Sequence, residues 1–212
     1  ISYFENIGNN LKVGHCSDLA CTTATTATLD STGAVGYNTS ITIGGDGLGL
    51  ISYIDGSNFY LKVAHCNDLN CSSANTQSID VAVWFDNSIV TGTDGYGLIS
   101  FSDFYGTNLK VAHCTNYICN TPTYTTLDNS VLGTGNSITI GSDGLGLVSY
   151  QDGDNVNLKV AHCIDVACSS ATLVDGDTSA NVTELTAIAI GAAGLPLISY
   201  YTYDTHLKVA HC

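Results

Sequence analysis

The sequence predicts an all-β fold built of repeated four-stranded antiparallel blades, a β-propeller or propeller-like array of about 49 residues per repeat, stapled by disulfides. Three observations predict it. The hexapeptide LKVAHC, once as LKVGHC, begins at Leu11, Leu61, Leu109, Leu158 and Leu207, so successive copies lie 50, 48, 49 and 49 residues apart. Between copies, short β-type segments alternate with Gly/Asp turns, with no apolar stripe of helical period. Four copies also carry the same C-x4-C spacing.

Each full unit divides into four strands at its turn residues. The first reads SITIG from Ser40, with counterparts at Ser88, Ser137 and Ala187. An Asp-Gly turn follows (Asp46-Gly47, Asp94-Gly95, Asp143-Gly144), whose glycine supplies the positive φ of a tight hairpin. The second strand is LISY, and a polar loop leads to the third, LKVAHC. A four-residue turn between the cysteines returns the chain along a fourth strand, such as Thr22 to Leu29 or Ser169 to Val174. The units are a partial one at 1–39, full ones at 40–87, 88–136 and 137–186, and a partial one at 187–212. The front unit lacks a first strand and the rear unit a fourth. The chain therefore reads as a window on a longer array, or as one whose neighbours supply the missing strands. It has neither an initiator methionine nor a signal peptide and reads as a processed or excised piece.

Nine cysteines in a methionine-free chain point to an oxidising compartment. The spacing pairs Cys16 with Cys21, Cys66 with Cys71, Cys114 with Cys119 and Cys163 with Cys168. Cys212 is left unpaired or available to another chain. A zinc reading would join His and Cys neighbours, but adjacent strand side chains point to opposite faces, which favours disulfides. If each pair lies directly across the ladder, Lys12, Lys62, Lys110 and Lys159 face Thr25, Asn75, Thr123 and Thr172. Val13, Val63 and Val160 then face Ala24, Ala74 and Ala171, with Val111 on Pro122.

Lys12, Lys62, Lys110, Lys159 and Lys208 are the only basic residues apart from histidine. One per unit marks a structural role: a partly buried ammonium met by the strand-two acid (Glu5, Asp55, Asp103, Asp152, with Thr202 in the last unit) and by the Thr or Asn opposite. His15, His65, His113, His162 and His211 recur likewise and read as architecture, whereas His206 falls in a loop and reads as exposed. Aromatic residues concentrate in the third unit (Trp84, Phe85, Tyr96, Phe101, Phe104, Tyr105, Tyr117, Tyr124). Most suit an inter-blade core, with Trp84 and Tyr105 as candidates for glycan or partner contact. Asp152-Gly-Asp154-Asn155 and Asp175-Gly-Asp177 offer oxygen ligands for Ca2+ without EF-hand spacing; no other metal or cofactor is indicated. Asn38-Thr-Ser and Asn181-Val-Thr are glycosylation acceptors by pattern.

Units of the form SIxIGxDGxxxISYxDxxxxxLKVAHC resemble the secreted prokaryotic β-propeller repeats that read roughly SIALDSSGNPHISYYD…NGDLKYA, similar in style to Asp-box repeats. The resemblance spans the whole chain and implies a propeller, while leaving function open. Composition narrows function by exclusion. A formal charge of −14, from 5 basic and 19 acidic residues, repels nucleic acid, and no stretch is long and apolar enough for a membrane span. The chain has no arginine to hold a sialidase-type carboxylate, and no unique carboxylate pair stands out among its acids. These features predict a non-enzymatic, extracellular or cell-surface building block, structural or adhesive, that associates with itself or with neighbouring repeats. The alternative is a lectin-like propeller that binds glycans through its variable loops.

Overall fold

The computed structural model describes residues 1–80, 83–103, 108–129, 135–179 and 181–211; the side chains of 80, 84, 85 and 184 lie outside that description. The described residues form eighteen strands in five antiparallel sheets and no helix. Blade 1 is β1 (Ser2–Glu5), β2 (Asn10–Cys16) and β3 (Ala24–Asp30). Blade 2 is β4 (Val35–Ile43), β5 (Gly49–Asp55), β6 (Tyr60–Cys66) and β7 (Ala74–Asp80). Blade 3 is β8 (Val83–Thr91), β9 (Gly97–Asp103), β10 (Leu109–His113) and β11 (Thr123–Asp128). Blade 4 is β12 (Ser137–Ile140), β13 (Gly146–Asp152), β14 (Asn157–Cys163) and β15 (Ala171–Asp177). Blade 5 is β16 (Val182–Ile190), β17 (Pro196–Thr202) and β18 (Leu207–His211). Every sheet runs in sequence order, as hairpin-connected strands require.

The blades are wedged about a common axis. The innermost strands β4, β8, β12 and β16 pack side by side, while the outermost strands β3 and β7 barely touch. Serine hydroxyls stitch the inner strands at one-repeat intervals: the Ile89 amide donates to Ser40 Oγ at 3.2 Å, Ile138 to Ser88 at 3.3 Å and Ile188 to Ser137 at 3.4 Å. At the hairpin turns the Gly45 amide donates to the Gly95 carbonyl at 2.8 Å, and a Cβ on Gly45 would meet the Gly95 backbone, so only glycine allows this approach.

The core lies between blades, not within one. Leu11 and Val13 of blade 1 pack on Val35, Ile51, Tyr53, Ala64 and the Cys66–Cys71 bridge of blade 2. The same partnership recurs between blades 2 and 3, 3 and 4, and 4 and 5. Each blade thus has a trailing face of Leu and Val and a leading face of Ile, aromatic, Ala and disulfide. Strands covered on both faces are buried nearly throughout, as in β5.

All four cysteine pairs form disulfides, with Cα–Cα distances of 4.7–4.8 Å. Their place in the ladder differs from the expected one. Cys16 pairs across the strands with Ala24, and Cys21 sits in the turn at φ 52°, its amide bonded to the Asp18 carbonyl. Cys71, Cys119 and Cys168 repeat that left-handed conformation. The bridge therefore joins a strand end to its own turn and does not cross the ladder, which shifts the register by three. Lys12, Lys62, Lys110 and Lys159 lie opposite Thr28, Ser78, Thr126 and Asp175. Val13, Val63, Val111 and Val160 lie opposite Ala27, Gln77, Thr125 and Val174. The first strand is also longer than its SITI motif. β4 starts at Val35 and β16 at Val182, because after a register shift the connector rejoins the second strand.

Candidate active site

Two rims flank the axis, one formed by the hairpins between second and third strands, the other by the Asp-Gly and disulfide turns. At the first rim a carboxylate at the end of an outer strand reaches the next blade. Asp30 Oδ2 accepts the Tyr53 hydroxyl at 2.7 Å and the Lys62 ammonium. Asp128 Oδ2 accepts Tyr150 at 2.8 Å and lies 3.5 Å from Lys159 Nζ; Asp177 accepts Tyr200 at 2.7 Å. Burial raises the Asp30 pKa, but hydrogen bonds from Lys62, the Thr32 amide and Tyr53 outweigh it and hold the carboxyl below the ordinary value. Burial and the facing aspartates push the Tyr53 and Tyr150 phenols well up, and Tyr200 up to about 12.

Lys12 and Lys159 meet the strand-two acid that the sequence names, and Lys62 does not. Lys12 stays in its own blade, 2.5 Å from Glu5, and Lys159 reaches Asp152 at 3.0 Å as well as Asp128. Lys62 instead bonds Asp30 of the preceding blade, because the leading face points its side chain that way. Asp55 pins its own turn, accepting the Ser57 amide at 2.9 Å and Asn58 Nδ2 at 2.9 Å. At the other rim the repeated histidines close on the turn aspartates: His65 on Asp46 at 2.8 Å, His113 on Asp94 at 2.7 Å and His162 on Asp143 at 2.8 Å. A depression of about 280 Å³ beside Asp143 and His162 holds only this repeated pair, so it is architecture.

Two acids of the inner strands stand outside the repeat. Aligned on the Ser-Ile of each inner strand, which is Ala187-Ile188 in β16, the preceding positions carry Asp86 in β8 and Glu184 in β16, and no acid in β4 or ahead of β12. Both fall where the ladder slips, between Val83 and Asn87 and between Val182 and Thr186. Such bulges re-aim side chains next to active sites. Asp86 reaches the neighbouring inner strand: its Oδ2 accepts the Asn136 amide at 2.8 Å and Asn136 Nδ2. Asn136 Oδ1 in turn accepts Ser100 Oγ at 2.5 Å, and Ser52 makes the equivalent bond to Asn87. This axial Ser-Asn lattice fixes Asp86 against blade 4. Sequence reasoning missed both acids because it weighed all nineteen together. The signal that isolates them is positional, an acid where other repeats carry Asn38, Gly135 or Leu185, and Tyr37, Phe85 or Thr134.

No protein-family model and no curated protein matches the sequence. Solved structures do match. An α-L-arabinofuranosidase from Lactobacillus brevis is similar over 99% of this chain and 88% of its own, at 10% identity and TM-score 0.56. An exo-β-1,3-galactanase from Clostridium thermocellum is similar over 98% of this chain and 57% of its own, at 11% identity and TM-score 0.56. A Dyadobacter fermentans protein of unknown function is similar over 81% and 51%, at 14% identity and TM-score 0.55. The fold is propeller-like. The chain spans about half the length of several of these proteins. The expectation of a non-enzymatic structural or adhesive building block, with a lectin-like alternative, is overturned here: the propellers that share this architecture include many GH43 glycosidases. A regular blade array is the framework of catalysts, so regularity is no argument against an enzyme.

The remaining predicted residues scatter. Tyr105, Phe104, Cys212 and the Trp84 and Phe85 side chains lie outside the described residues. Tyr96 and Tyr117 pack together with ring centroids 5.2 Å apart at the disulfide rim, away from Asp86. Asn38 and Asn181 are exposed at positive φ, 44° and 46°. Asp152 accepts the Asp154 and Asn155 amides and Asn155 Nδ2 and pairs with Lys159, and Asp177 accepts the Ser179 amide and the Tyr200 hydroxyl, so both carboxylates are engaged within the protein. Among the described residues no group of three His, Cys, Asp or Glu could hold a metal ion. His206 is exposed, 3.1 Å from Asp204.

Proposed function

We propose that this chain carries the catalytic propeller of a glycoside hydrolase acting outside the cytoplasm, with Asp86 and Glu184 as its working carboxylates. One observation carries the reading: of nineteen acids, these two alone stand on or just ahead of the Ser-Ile of the innermost strands, both at ladder slips on the same side of it. Glycoside hydrolysis needs two carboxyl groups flanking the scissile bond, one protonating the leaving oxygen, the other ionised to activate water or attack the anomeric carbon. Asp86 suits the ionised role, since two N–H donors of Asn136 converge on its Oδ2. Glu184 then takes the acid role. The glycosidase neighbours support the substrate class: one is titled a β-1,3-galactosidase and another an α-L-arabinofuranosidase. Four disulfides support an oxidising location.

The test is hydrolysis of aryl β-D-galactosides, aryl α-L-arabinofuranosides and β-1,3-galactan oligosaccharides by the 212-residue chain and by Asp86→Asn and Glu184→Gln. Turnover by the parent, falling at least about 100-fold in each variant with melting temperature unchanged, is the expected result. Absence of turnover on every substrate, or full turnover by both variants, refutes the reading.

A further inference from the structure

The second-strand serines Ser52, Ser100 and Ser149 are fully buried, and each reaches the residue just ahead of the Ser-Ile (Ala-Ile in blade 5) of the next blade. Ser52 Oγ donates to Asn87 Oδ1 at 2.5 Å, Ser100 Oγ donates to Asn136 Oδ1 at 2.5 Å, and Ser149 Oγ lies 2.9 Å from Thr186 Oγ1. The three partners then turn back to the blade before. Asn87 Nδ2 donates to the Asn38 carbonyl at 2.7 Å and Thr186 Oγ1 to the Gly135 carbonyl at 2.6 Å, so two of these relays end on backbone. The remaining one ends on a side chain: Asn136 Nδ2 donates to Asp86 Oδ2, which the Asn136 amide also reaches at 2.8 Å. The same repeated device therefore acts on a carboxylate at one place in the row.

The way a buried carboxamide faces follows from its partners. With Asn136 Oδ1 taken by the Ser100 hydroxyl, Nδ2 faces Asp86, and both groups aimed at Oδ2 are N–H donors that satisfy the ionised carboxylate. A flipped amide would set Oδ1 against Asp86, repelling the carboxylate and accepting the O–H of the carboxylic acid instead. It would also turn the Ser100 hydroxyl from donor to acceptor. We propose that Ser100 is a positioning residue of the candidate active site: by fixing the Asn136 amide it keeps Asp86 ionised. Its catalytic meaning rests on the reading of Asp86 as the ionised carboxylate, whereas the relay itself is open to test without turnover. The strands packed against β8 bring Tyr37 (β4), Tyr53 and Asp55 (β5) and Asp103 (β9) as titratable side chains, and β12 brings none. Substituting Ser100 changes none of them, so Asp86 in parent and variant reads the relay.

Carbon-13 NMR of the aspartate carboxyls in the intact chain, with Asp86 assigned through Asp86→Asn, is the experiment. Asp86 is expected to titrate about one pH unit higher in Ser100→Ala than in the parent, the roughly tenfold effect of a hydrogen bond to a charged group. In Asn136→Ala the rise is expected to be at least as large. In Ser100→Ala/Asn136→Ala it is expected to go no further than in Asn136→Ala, because the serine acts only through the amide. An Asp86 titration unmoved in Ser100→Ala, or a double variant shifted beyond Asn136→Ala, overturns the proposal whether or not the chain hydrolyses a glycoside. Where it does, the acid limb of kcat/KM is expected to move up with the carboxyl in Ser100→Ala. A shifted carboxyl in a chain without turnover supports the relay and refutes the catalytic reading alone. Should Ser100→Ala fail to fold, Ser100→Cys keeps the volume and weakens the donor, and is expected to shift Asp86 the same way by less; a folded Ser100→Cys with Asp86 unmoved refutes the proposal.

Discussion

At the scale of single residues, the buried carboxylates paired with lysine set the acid response. Asp30 is held low by Lys62 and Tyr53, and Asp152 by Asn155 and Lys159 against its burial. A group whose folded pKa is depressed contributes stability that is present above the unfolded value and is lost as pH falls through the folded one. Denaturant midpoints are therefore expected to be flat from neutrality to about pH 4 and to fall below it. Asp30→Asn removes the carboxylate and strands the Lys62 ammonium between blades 1 and 2. It is expected to cost about 3–5 kcal/mol at neutral pH and to flatten the acid decline. Urea melts at several pH values check both statements, and an unchanged acid slope in the variant contradicts them.

At the scale of the strand and turn, the disulfide fastens a third-strand end to the turn that follows it, closing a ring of six residues worth about 2 kcal/mol through the unfolded chain. Three of the four bridges are buried in inter-blade cores: Cys66 is 1% exposed, Cys114 and Cys119 0%, Cys163 1% and Cys168 0%. In blade 1 no described residue covers the bridge from the far side, and Cys16 is half-buried and Cys21 exposed. Under a mild reductant the Cys16–Cys21 bridge is expected to open first, with the other three protected until the blades separate. Differential alkylation followed by peptide mass analysis reads the order, and equal rates at all four bridges contradict it.

At the scale of the whole molecule, stability is distributed along a row of wedges, each contacting only its neighbours. Among the described residues blade 5 is covered on one side only, whereas β13 and β14 in blade 4 are buried on both faces apart from scattered half-buried positions. In a dilute monomer, β17 and β18 are expected to exchange amide hydrogens faster than β13 and β14, in spite of near-identical sequences. Uniform protection across blades 4 and 5 would show the last face to be covered already.

The sequence by itself determined what is local. Its 49-residue spacing, its Asp-Gly turns and its paired cysteines specify the blade, because strand alternation and turn conformation are set by residues a few positions apart. Even the choice of bridging partners was legible in the C-x4-C spacing. The register across those bridges was not, since whether the second cysteine sits on the strand or in the turn depends on a left-handed conformation that the spacing does not state. Tertiary structure alone decided that Lys62 meets Asp30 rather than Asp55, and that Asp86 comes to a central axis beside Asn136. Those contacts span about thirty to fifty residues and exist only because the blades are wedges: inner strands converge and outer strands diverge, so a repeated motif acquires unequal neighbours from its place in the row.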